Sequence, residues 1–108
     1  MGWFGSFIVG LYLTVTTFSV SVYPTISMAP SSIRVTVTMA RNPDNEILCL
    51  EWDGGDAGRS CTELYGGAEP ITRQIWLKSL SSGDYMLTST LYQHTGKMYT
   101  VRSQFTVR

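Results

Sequence analysis

Hydrophobic and polar positions change their spacing once along this chain, near Ile33. From Met1 to Ile33 there is no Asp, Glu, Lys, Arg or His, and the first charged side chain is Arg34. Trp3 to Tyr23 reads WFGSFIVGLYLTVTTFSVSVY, apolar apart from hydroxyl residues and glycines. A helix over this stretch is about 30 Å long and matches the hydrocarbon core of a bilayer. Residues 1–23 are therefore expected to form a transmembrane anchor helix. Trp3 and Tyr23 serve as its interfacial anchors, because each joins an apolar ring to a polar atom. Pro24 ends it. Gly2, Ser6, Gly10 and Thr14 recur every four residues. They form a small-residue stripe on which a neighbouring helix can pack closely. The rival reading is a cleaved secretory signal, with Ser19-Val20-Ser21 as the cleavage site, although no Lys or Arg precedes the apolar run. The stripe favours the retained anchor.

Residues 24–32, PTISMAPSS, read as an extended linker, since its prolines disfavour regular structure. From Ile33 the period is two. Ile33, Val35, Val37 and Met39 alternate with Arg34, Thr36 and Thr38, as in a half-buried strand. Asn42 to Asn45 is a turn, and Glu46 to Trp52 a second strand. Asp53 to Gly58 is a loop, Arg59 to Tyr65 a third strand, and Gly66-Gly67 a break. Ile71 to Leu80, Tyr85 to Tyr92 and Met98 to Val107 complete the strands, with turns at Ser81–Asp84 and His94–Lys97. No segment after Tyr23 has a helical period. Short, evenly spaced strands predict an all-β sandwich over residues 33–108.

Composition narrows the function classes. Eight basic and eight acidic residues balance, without a basic run or stripe, which argues against nucleic acid as a partner. Cys49 and Cys61 are the two cysteines. In a translocated domain they are expected to form a disulfide, worth about 3 kcal/mol less any strain. They lack the C-x-x-C spacing of a redox or zinc pair. His94, the single histidine, falls in a turn, where it is expected to be exposed. Asp53 and Asp56 flank two glycines but lack the ligand count of a calcium loop. Trp52 and Trp76 read as core or interface residues rather than a sugar platform. No cofactor and no catalytic group is expected.

The run Leu80-Ser81-Ser82-Gly83-Asp84-Tyr85 resembles the tyrosine corner of Greek-key, immunoglobulin-like sandwiches, with Leu80, Gly83 and Tyr85 in the corner positions. With Glu46–Glu51, Gly58–Ser60 and the closing strand, residues 33–108 are similar to small bacterial extracytoplasmic immunoglobulin-like domains. The resemblance implies a fold and hardly a function. The cysteines, twelve positions apart, do not match the inter-sheet disulfide of true immunoglobulin domains. Together these features lead to one expectation: a non-catalytic, single-pass structural or accessory subunit of a larger bacterial membrane complex. A photosynthetic reaction-centre or light-harvesting complex is one candidate assembly. Other membrane subunits and the lipid bilayer are the expected partners. The alternative is an exported binding or adhesion module with its signal removed. Arg34 and Arg41, read by the positive-inside rule, place the domain in the cytoplasm. The expected disulfide and the resemblance place it on the periplasmic side of the inner membrane, and that side is preferred.

Overall fold

The computed structural model describes residues 18–65 and 72–108, and every regular element among them is a β-strand. The strands are β1 (Phe18–Tyr23), β2 (Ile26–Ser27), β3 (Ser31–Met39), β4 (Asn45–Asp53), β5 (Ala57–Glu63), β6 (Thr72–Leu80), β7 (Gly83–Gln93) and β8 (Met98–Val107). They form a three-stranded sheet ordered β1-β3-β6 and a five-stranded sheet ordered β2-β8-β7-β4-β5.

β3 shows why. Its β-branched residues favour the extended backbone, and alternation sends Ile33, Val35 and Val37 inward, where each is fully buried. Arg34, Thr36 and Thr38 face outward. Across the interior, Leu48 and Leu50 of β4, Leu87 and Leu91 of β7, and Phe105 and Val107 of β8 meet them. At one end of this core the buried Gln93 side-chain amide donates to Asn45 Oδ1 at 3.0 Å, and Asn45 Nδ2 donates to Ala40 O at 3.1 Å.

The transmembrane helix expected over residues 1–23 does not extend through Phe18–Tyr23. These six residues are β1, paired antiparallel with β3 from Phe18↔Met39 to Tyr23↔Arg34. The physical reason is their period. In FSVSVY, Phe18, Val20 and Val22 pack against the core while Ser19, Ser21 and Tyr23 face outward. A helix would scatter these valines around its circumference; a strand collects them on one face. Tyr23 thus ends a strand and does not mark a helix terminus. Among the described residues no helix is long and apolar enough to cross a membrane. Trp3 and the stripe Gly2, Ser6, Gly10, Thr14 lie outside the described residues.

The expected linker also carries structure. Within it β2 pairs in parallel with β8, Ile26↔Thr106 and Ser27↔Val107, and Ser31 opens β3. The Ala29 N–H donates to Arg108 O at 2.6 Å. This segment takes the chain from the three-stranded sheet to the edge of the five-stranded one and back, so the packed unit begins well before Ile33.

Candidate functional site

Three places bring together side chains with chemistry to offer. The first is the corner between β6 and β7. The Tyr85 hydroxyl donates to Ser81 O at 2.7 Å, four residues upstream, and accepts from the Asp56 N–H at 3.0 Å. The Asp56 carboxylate accepts from the Ser81 N–H at 2.7 Å. That bond, with further ones from Ser81 and Tyr85, holds the Asp56 carboxyl below its usual range. Burial raises the Tyr85 phenol. The Tyr85 ring stacks on Phe105, with centroids 4.9 Å apart. Leu80 is buried beside it, and Gly83 lies where a Cβ would meet the backbone nitrogen of Gly55. The Tyr85 hydroxyl and the Asp56 carboxylate are both engaged with backbone here, so the corner ties the loop after β4 to the start of β7.

The second is the outer face of the five-stranded sheet. Cys49 of β4 and Cys61 of β5 are directly cross-strand and joined as a disulfide. Cys49 is buried and Cys61 exposed. The Arg59 guanidinium lies 3.9 Å from Cys49 Sγ and 3.6 Å from the Glu51 carboxylate, Glu51 being its cross-strand neighbour. Sequence spacing alone did not single out Arg59; it comes beside sulfur through the β4–β5 register.

The third is the outer face of the three-stranded sheet. Register places Tyr23, Arg34 and Trp76 in one row across β1, β3 and β6. The Arg34 guanidinium carbon sits 5.5 Å from the centre of the Tyr23 ring, a cation–π contact. Arg34 Nε is shielded from solvent without a hydrogen-bond partner. Tyr23 is 66% exposed and Trp76 51%. The next rows are Ser21, Thr36, Gln74 and Ser19, Thr38, Thr72. None of the three strands contains Asp or Glu, and Arg34 and Lys78 lie on this face, whereas Arg73 pairs with the inward-facing Val37. This face is cationic and aromatic at one end and lined with hydroxyl and amide groups beyond it. Its members come from strands far apart in the chain, so no local signal marks it.

The remaining sequence candidates do not converge. His94 is exposed, with Nδ1 2.9 Å from Glu46 Oε2. Asp53 ends β4, paired with Ala57, and Asp56 is committed to the corner. Trp52 packs partly buried against the core. Among the described residues no three metal-binding side chains are grouped.

No protein-family model matches the chain, and no curated protein matches it. Solved structures do. A point-substituted form of the superoxide reductase (neelaredoxin) of Ignicoccus hospitalis superposes with a TM-score of 0.70 at 14% identity, covering 94% of this chain and 87% of that one. A second substituted form gives 0.67 at 15% identity, covering 91% and 86%. A third structure of that reductase gives 0.65 at 16% identity, covering 86% and 82%. At such identity the likeness is one of fold: a small all-β domain shared with enzymes.

This corrects the function expected from the sequence. The neighbours are reductases, and the end of the expected membrane span is a strand in the fold. The reading as a single-pass accessory subunit is withdrawn, the photosynthetic assembly included, and the exported adhesion module gains no support from these neighbours. Reductase activity does not transfer either. Reducing superoxide needs a centre that hands over an electron, and the donor set here does not fit one. The single histidine lies in an exposed turn with Nδ1 against the Glu46 carboxylate, and both cysteines are joined in the disulfide.

Proposed function

We propose that this chain is a β-sandwich domain of immunoglobulin-like, Greek-key type that recognises an acidic protein segment. The reading of the fold rests on its strand order and on the Tyr85 corner, where the hydroxyl returns to backbone four residues upstream. The reading of the function rests on one observation: the row Tyr23–Arg34–Trp76, with both rings exposed and Arg34 half-buried between them, on three described strands that contain no carboxylate. Trp, Tyr and Arg are enriched among the residues that dominate protein interfaces; Trp and Tyr present a broad face at low entropic cost, and Arg a planar cation. The charge of the sheet selects a partner with carboxylates, and the adjacent hydroxyl rows supply hydrogen bonds to its backbone. A balanced net charge without a basic run argues against nucleic acid. The disulfide supports residence in an oxidising compartment, outside the reducing cytosol.

The test uses an array of acidic, aromatic-containing peptides and their Glu→Gln counterparts. Wild-type protein is expected to bind a subset, more weakly as salt rises. Trp76→Ala and Arg34→Ala should each weaken binding more than about tenfold, as for hot-spot residues, with an unchanged unfolding midpoint. Equal binding of the Gln peptides, or of both variants, sinks this reading.

A further inference from the structure

The disulfide is asymmetric in a way that its pairing alone does not require. Among the described residues β5 is the outermost strand of its sheet, with no further strand beyond Cys61. On the other side Cys49 pairs with Thr90 of β7, itself buried. A thiolate must approach a disulfide sulfur in line with the sulfur–sulfur bond. Cys61 is exposed to an incoming thiolate, whereas Cys49 is buried. The leaving side is also prepared, because the Arg59 guanidinium lies 3.9 Å from Cys49 Sγ. A cation there stabilises the thiolate that departs, and a better leaving thiolate departs faster. A shallow cleft of about 350 Å³ opens at this point, lined by Ile47, Cys49, Arg59, Cys61, Tyr92 and Lys97.

From this geometry we infer that Cys49–Cys61 is a directional thiol–disulfide exchange site for a dithiol, attacked at Cys61 with Cys49 as the leaving group. A thiolate of the dithiol bonds to Cys61 Sγ, the Cys49–Cys61 bond breaks, and its electron pair goes to Cys49 Sγ beside Arg59. The second thiolate of the dithiol then attacks its partner sulfur in the mixed disulfide and expels Cys61. The dithiol leaves as a disulfide, oxidised by two electrons, and its two protons end on Cys49 and Cys61. The exchange is stoichiometric and separate from the aromatic face. The β4–β5 ladder runs from Ile47↔Glu63 to Asp53↔Ala57, so the two strands stay paired after the bond opens.

Two probes test this on the full-length chain in native buffer. Glutathione traps the first adduct, which peptide mass mapping is expected to place on Cys61. Dithiothreitol gives the reduction rate, read as alkylatable thiols appearing over time while circular dichroism reports the fold. Arg59→Gln is expected to slow reduction roughly threefold or more, and Arg59→Lys to restore most of it. Glu51→Gln, which removes the counter-charge on Arg59, should speed it. An adduct on Cys49 overturns the inference. So does reduction that proceeds only once denaturant unfolds the domain, or a rate that ignores all three substitutions.

Discussion

Asp56 and Tyr85, 29 residues apart in sequence, meet at one oxygen: the Asp56 N–H donates to the Tyr85 hydroxyl at 3.0 Å. The same hydroxyl donates to Ser81 O at 2.7 Å, and the Asp56 carboxylate accepts the Ser81 N–H. The loop after β4 is thereby fastened to the corner that opens β7.

Removing only the hydroxyl isolates this knot. In Tyr85→Phe the ring keeps its stack on Phe105, while the Asp56 N–H and Ser81 O lose a partner. The expected loss is about 1–3 kcal/mol, the cost of leaving such groups unpaired. A urea midpoint unchanged from wild type would show that these bonds add nothing to stability.

Acid should loosen the same corner. The Ser81 N–H, with further bonds from Ser81 and Tyr85, lowers the Asp56 pKa in the folded state from its ordinary 3.8. A carboxylate with a depressed folded pKa stabilises the fold fully above its unfolded pKa. That contribution is lost as pH falls through the folded value. Urea midpoints measured from about pH 5 to about pH 2 should therefore fall more steeply for wild type than for Asp56→Asn. Parallel curves would remove Asp56 from the account.

Two glycines should respond unequally to alanine. A Cβ at Gly83 meets the backbone nitrogen of Gly55, which cannot swing aside as a side chain can. Gly83→Ala should cost toward the top of about 1–3 kcal/mol, as overpacking does. Gly96 has φ +89° but open space around it, so its alanine bears only backbone strain, about 1 kcal/mol. Thermal unfolding of both variants checks the order; the reverse order would mean that the corner has room to spare.

Leu87 is fully buried between the sheets. Leu87→Ala should cost about 2–5 kcal/mol through lost burial and the cavity left behind. Thr36→Ala, on the outer face, should change the midpoint little. A small loss at Leu87 would mean that the sheets close over the gap.

Much of the all-β architecture is legible in single strands. Ile33, Val35 and Val37 of β3, and Tyr85, Leu87, Ser89 and Leu91 of β7, show their buried face as a period of two. That period is a local property, because successive side chains of an extended chain point to opposite sides. Phe18–Tyr23 has the same alternation, but it closes an uncharged apolar run of membrane length, which masks the strand period. Partnership was not legible. Tyr23 stands beside Arg34 and Arg34 beside Trp76 only because β3 lies between β1 and β6. Arg59 reaches Cys49 only because β5 pairs with β4 in one register. The sequence by itself determined which residues of most strands turn inward. Tertiary structure decided which outward residues become neighbours, because the order and register of strands depend on packing between segments far apart in the chain.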